Sequence, residues 1–185
     1  MVDPSVLVSV RKGDNAAFKQ LYQACIGYVY SITKRYVANE SDHPDVIQEI
    51  FARVFLSIGT FDPAKGDFKA WLRRLTINQC MQHYRQGKSP RVHVSLEVVS
   101  NHTSGADEQF SHLTKEEIAV YLQKMPEGYR QIFMLVVMDG YSHKEVAELL
   151  AISTETSRSQ LSRAKKWLKA HLSPSNKQRL LANGL

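Results

Sequence analysis

The chain holds two cysteines in 185 residues, Cys25 and Cys80, with no Cys-x-x-Cys pair. They indicate neither a disulfide framework nor a zinc site, and they fit a reducing compartment. The seven histidines do not pair at ligand spacing with cysteine or carboxylates, so no metal and no other cofactor is expected. No apolar run approaches the roughly 20 residues that a membrane span requires, and no basic segment leads into an apolar core at the N-terminus. A soluble, cytoplasmic protein is expected. Strand candidates longer than a few residues are missing, as are internal repeats. Acidic residues are absent from two stretches, between Asp67 and Glu97 and after Glu155. The net charge of +6 therefore sits in two blocks, which favours a polyanionic partner.

What is present reads as helix. Asp3-Pro4 is an N-cap with proline in the first turn, opening a short helix that stops near Gly13. Asp14 caps a longer one, in which Phe18, Leu21, Tyr22, Cys25, Val29, Ile32 and Tyr36 recur at steps of mostly three and four. Pro44 begins a third helix. Its inner ridges are Val46, Ile50, Val54 and Ile58, and Ile47, Phe51 and Phe55, while Asp45, Gln48, Glu49 and Arg53 occupy the other face. Gly59 stops it, "TFDPAKGD" is a turn-rich connection, and a basic helix runs from about Phe68 to Arg85.

From Gly87 to about His112 no period survives, and the segment reads as a linker. Thr114-x-x-Glu117 is a capping box, Glu127 to Met138 forms a further helix, and Ser142-x-x-Glu145 is a second capping box. The expected fold is all-α: two small helical domains, residues 1–90 and 113–172, joined by a flexible linker over 91–112 and followed by a tail over 173–185.

Residues 142–172 have the pattern of a helix-turn-helix. Ala147 is the small residue at the crossing, Leu149, Leu150 and Ile152 supply core, and Leu161, Ala164, Leu168 and Leu172 form the second helix's buried stripe. Thr156, Arg158, Ser159, Ser162, Arg163 and Lys166 are left facing outward. Arginine pairs bidentately with guanine, while lysine and hydroxyls hold phosphates, so this chemistry suits duplex DNA. Two positions depart from an idealised motif. Ala151 stands where glycine is usual, at a cost of about 1 kcal/mol or more if its φ is positive. Ser157 stands where an apolar residue normally packs, which predicts a thinner core.

The first domain carries a second basic helix interleaved with aromatics. Phe61, Phe68, Trp71 and Tyr84 alternate with Lys65, Lys69, Arg73, Arg74 and Arg85. Aromatic faces with cations suit unstacked bases, although Phe68, Trp71, Leu72, Leu75 and Ile77 also suit a core.

Four blocks in order, "GDNAAFKQLY", "DVIQEIFARVF" with "FDPAKGDFKAWLRRLTIN", "MPEGYRQIFMLVVMDGYSHKEVAELLAIS" and "TSRSQLSRAKKWLK", resemble the extracytoplasmic-function sigma factors of the sigma-70 family over about residues 12 to 172. The resemblance implies a non-enzymatic transcription initiation factor with core RNA polymerase and promoter DNA as partners, both as duplex and as non-template single strand, and no small-molecule substrate. It implies that region two binds polymerase through Asp45, Gln48 and Glu49. Opening of the minus-ten element falls to Phe61, Lys65, Phe68, Trp71, Arg73, Arg74, Asn78 and Arg85. The loop after Gly59 would capture a flipped base, with Asn78 at the pocket floor, and extrusion of that base costs a few kcal/mol of stacking. Region four would read the minus-thirty-five element through Thr156, Arg158, Ser159, Ser162, Arg163 and Lys166. A cognate anti-sigma factor, often membrane-anchored, is also implied.

The chain departs from the family pattern at Gln82, where Asp is common, at Met125-Pro126 for Leu-Pro, and at Glu155 for glycine. Glu155 matters most, because a carboxylate there suits the helix dipole but opposes DNA phosphate unless it accepts from a cytosine amino group. Two other classes remain in view. A conventional helix-turn-helix regulator would leave the basic aromatic helix unexplained. A nuclease built on Asp42, Asp45 and Glu49 around magnesium would need clustered carboxylates that have no counterpart elsewhere in the chain.

Overall fold

The computed structural model describes residues 2–87 and 115–172. The chain divides into two units, residues 1–93 and 94–185, and the described residues contain eight α-helices and no strand. The linker expected over 91–112, the Thr114 cap and the tail over 173–185 lie outside the described residues.

The first unit contains α1 (Pro4–Arg11), α2 (Asn15–Tyr36), α3 (His43–Ser57) and α4 (Phe68–Arg85). Three of the four starts are set by a local side chain, and α3 begins instead with Pro44 in its first turn. Asp3 accepts from the Ser5 N–H, Asp14 from Ala16 and Ala17, and Asp67 from Ala70, so N–H groups with no intrahelical partner are satisfied where α1, α2 and α4 begin. α2 buries Leu21, Cys25, Val29, Ile32 and Tyr36 along one stripe. These side chains meet Val46, Ile50 and Val54 of α3 and Leu72, Ile77 and Met81 of α4, so the three helices share one core and α1 packs beside α2. Of the second ridge of α3, Ile47 and Phe51 are buried, while Phe55 is 40% exposed. Its ring meets Phe18 edge-on at 5.0 Å.

The second unit contains α5 (Lys115–Lys124), α6 (Glu127–Phe133), α7 (His143–Leu150) and α8 (Thr154–His171). The continuous helix expected from Glu127 to Met138 is instead α6 followed by a π-helical turn, Met134–Met138. There the Asp139 N–H reaches back five residues to Met134 O at 2.9 Å. The widened turn keeps Met134 and Leu135 wholly inside, next to Ile132 and Phe133. A wholly apolar run has no period to reveal such a change of pitch. Val146 and Ala147 of α7 and Ala164 and Leu168 of α8 complete this core.

Candidate functional site

Three surfaces carry the sequence candidates. On α3 the buried ridges turn Asp45, Gln48 and Glu49 outward, and all three are exposed. Two bonds tie this face to α4: Gln79 Nε2 donates to Glu49 Oε2 at 2.8 Å, and His83 Nε2 lies 3.2 Å from Asp42 Oδ2. His83 is only 6% exposed, so the imidazole joins α4 to the residue just before α3 from inside the unit. Asp42, Asp45, Gln48, Glu49, Ala52 and His83 line an open depression of about 640 Å³, whose three carboxylates suit a cationic side chain of a partner. Among the described residues no group of three or more His, Cys, Asp and Glu is arranged to hold a metal ion.

The second surface runs from the end of α3 into α4. A 3-10 turn, Ile58–Thr60, leads to Asp62, which accepts from the Ala64 N–H at 3.0 Å and caps a second such turn, Pro63–Lys65. Lys65 is almost fully solvated at this tip, 3.8 Å from Asp62. The ring of Phe61 is 7% exposed, wedged edge-on to Phe68 at 5.6 Å and tilted to Trp71 at 5.8 Å. Phe68 and Trp71 are half-buried. Phe61 therefore shapes the loop from within, and the aromatic surface open to solvent belongs to the other two rings. Arg73 is half-buried, whereas Arg74, Asn78 and Arg85, at steps of four and seven, share one exposed stripe of α4.

Sequence reasoning missed Arg11. From the last turn of α1 it donates through Nε to Ile58 O at 3.3 Å and through Nη2 to Phe61 O. Its guanidinium also stands 5.7 Å from the Phe61 ring centre. A basic residue at a helix C-terminus is common for dipole reasons alone, so nothing in the sequence signals this reach.

The third surface is the helix pair α7 and α8. Ser142 and Glu145 form both bonds of their capping box, the Ser142 N–H donating to Glu145 Oε2 at 2.7 Å and the Glu145 N–H to Ser142 Oγ at 3.3 Å. α7 ends at Ala151, which takes φ 54 and ψ 45, so the left-handed turn is made without glycine. Ser153 accepts from the Thr156 N–H and starts α8. Its hydroxyl also engages that of Thr156 at 3.0 Å, which makes Thr156 part of the cap. Arg158, Ser159, Ser162, Arg163 and Lys166 are exposed in two adjacent rows. Arg158 and Glu155 stand 3.9 Å apart and both are well solvated, a pair of little energetic weight.

Ser157 does not leave the thin core that its polarity suggested. It is fully buried, and its hydroxyl lies 2.8 Å from His143 Nδ1, joining the two helices by a polar contact in place of an apolar one. Burial, reinforced by the Arg158 charge, holds the His143 pKa below its ordinary value. Neither cysteine is poised to react: burial pushes the Cys80 thiol up to about 12 and raises Cys25 as well.

The family model for sigma-70 region 2 matches residues 21–89, and that for sigma-70 region 4 matches residues 115–168. The chain is 28% identical over 187 residues to the ECF RNA polymerase sigma-E factor of Escherichia coli strain K12, covering 94% of this chain and 96% of that protein. It is 25% identical over 185 residues to the protein of the same description from Haemophilus influenzae, covering 94% and 97%. Among solved structures, CnrH in complex with the cytosolic domain of CnrY is similar at a TM-score of 0.48 and 25% identity, covering 93% of this chain and 97% of that one.

Proposed function

The chain belongs to the sigma-70 family as an extracytoplasmic-function sigma factor, and from that premise we propose which of its faces perform each part of transcription initiation. As a sigma factor it binds core RNA polymerase and directs it to promoters, catalysing no bond change itself. The observation that carries this is the presence of both sigma regions, in family order, on one chain.

In our reading the exposed face of Asp45, Gln48 and Glu49 engages the polymerase clamp. Its carboxylates suit arginine and lysine, and burial of such pairs at an interface rewards complementary charge and registers the partner. Residues 58–67 and α4 take the minus-ten element. Lys65, Arg74 and Arg85 supply cations along the strand, Phe68 and Trp71 supply aromatic surface, and Asn78 lies between the basic residues on the same stripe. α8 lies in the major groove of the minus-thirty-five element, with Arg158 and Arg163 toward base edges and Ser159, Ser162 and Lys166 toward phosphates. Thr156 contributes by capping the N-terminus of that helix. Glu155 beside Arg158 disfavours close phosphate approach at this end and favours a cytosine there. A cognate anti-sigma factor that covers the polymerase-binding faces completes the proposal. Region two is left without a role if the chain is a conventional helix-turn-helix regulator.

The test is co-elution of the purified protein with bacterial core RNA polymerase, followed by mapping of transcript starts on genomic fragments with core alone as control. Discrete new starts that require the protein are expected. A folded, uninhibited protein that neither co-elutes nor adds a start would overturn the assignment.

A further inference from the structure

α1 lies outside the residues that either sigma model matches, yet its last side chain reaches into the loop that precedes α4. Arg11 spans 47 positions to Ile58 O and 50 to Phe61 O. The Ile58 carbonyl also accepts from the Phe61 N–H at 3.2 Å, so one guanidinium closes over both ends of a single turn. A planar fork of N–H donors can hold two carbonyls in fixed mutual orientation, which an ammonium cannot do as well. The same guanidinium sits over the Phe61 ring and so constrains the side chain that wedges the loop against Phe68 and Trp71. Beyond Phe61, the bonds from Asp62 to the Ala64 N–H and from the Lys65 N–H to Asp62 O are local to the loop. Local bonds shape the tip but do not orient it against the helices. The Arg11 contacts do.

We propose that Arg11 is a positioning residue for promoter opening: by clamping the Ile58 and Phe61 carbonyls it fixes the root of the 58–67 loop and thereby sets which unpaired base that loop accepts. The inference rests on the assignment of this loop to base capture. It extends the working part of the molecule to a helix before the matched region, and it makes Arg11 a determinant of minus-ten specificity without direct contact to DNA.

The experiment uses the full chain with core polymerase and a promoter mapped for the wild-type protein. Arg11→Met removes the donors, Arg11→Lys keeps the charge without the fork, and Arg11→Gln keeps a neutral donor if the Met variant fails to fold. Three quantities are read: co-elution with core, permanganate reactivity of unpaired thymines, and the ratio of initiation on the native promoter to that on promoters substituted at each minus-ten position. For Arg11→Met we expect core binding to be retained. Discrimination at one minus-ten position should fall by about tenfold, in line with the loss of charge-assisted hydrogen bonds, and Arg11→Lys should recover part of it. Unchanged discrimination at every position would overturn the proposal. So would a uniform loss across promoters that parallels a loss of core binding, since that marks a role in folding only. Wild-type protein that binds core and starts transcripts, but whose minus-ten preference is insensitive to substitutions throughout the 58–67 loop, would remove the base-capture assignment and this inference with it.

Discussion

Replacing Ala151 by glycine should stabilise the helix-turn-helix. Among the described residues Ala151 is the one non-glycine residue at positive φ. Its methyl group is exposed, so the substitution removes no packing. An L-residue in the left-handed region carries roughly 1–2 kcal/mol of steric strain. Glycine relieves that strain but adds about 0.5–1 kcal/mol of chain entropy to the unfolded state. The two N–H groups that converge on Ala147 O, those of Ala151 and Ile152, are kept in the variant. The balance is a gain of about 0.5–1 kcal/mol, which makes local opening of the turn roughly two- to fivefold rarer. Amide hydrogen exchange across residues 143–157 of the full chain, measured at fixed pH and temperature, reads this directly. Exchange in Ala151→Gly that is unchanged or faster than in the wild type would refute the reasoning, because it would mean that no strain is stored at this turn.

Acid should weaken the same unit through His143. Its folded pKa lies below the ordinary 6.5, so between the two values the unfolded chain binds more protons than the folded one. Stability is fully present above 6.5 and is lost as pH falls through the lower folded value. Urea midpoints between pH 7 and 5 should show a shallower decline in His143→Gln than in the wild type, and equal slopes would place the acid sensitivity elsewhere. Ser157→Ala should cost about 1 kcal/mol at neutral pH by removing the buried hydroxyl–imidazole bond, readable as a lower urea midpoint. Asp45→Ala with Glu49→Ala should weaken core polymerase binding about tenfold or more, as truncating one side of a charged interface does, while minus-thirty-five duplex binding is retained. Parallel loss of both would contradict the division between α3 and α8. Arg158→Ala should relax sequence preference at the minus-thirty-five element, whereas Lys166→Ala should weaken all sequences alike and reduce the salt slope by about one. Filter binding on matched and scrambled duplexes at several salt concentrations separates these outcomes.

The parts of the fold legible in the sequence are those whose causes are local. Asp3, Asp14 and Ser142 announce helix starts because each bonds a backbone N–H two or three residues ahead, and the inner ridge of α3 is legible because one face of a helix repeats every three to four positions. The exposed Asp45, Gln48 and Glu49 follow from that same ridge by exclusion. What is not legible is made between helices. Neither His143 nor Ser157 carries any mark of the other, so Ser157 reads as a gap until the imidazole is placed beside it. Phe61 is ambiguous for a different reason, since an aromatic in a loop serves a core or a base equally well in sequence, and only the positions of Phe68 and Trp71 decide that its ring is enclosed. The π-helical turn after α6 is hidden because Met134 to Met138 is apolar at every position.

The bond from Gln79 to Glu49 has a consequence for how binding events inform one another. Glu49 belongs to the face assigned to polymerase, and Gln79 is the next residue in α4 after Asn78, which is assigned to DNA. A cation that draws on Glu49 therefore perturbs a partner one peptide unit from the strand-binding stripe. Thermodynamic reciprocity then applies: whatever factor polymerase imposes on the affinity of α4 for an opened strand, the strand imposes on the affinity of α3 for polymerase. If the enzyme strengthens the hold of α4 on the strand, the strand strengthens the hold of α3 on the enzyme by the same factor, and a weakening would be returned in the same measure.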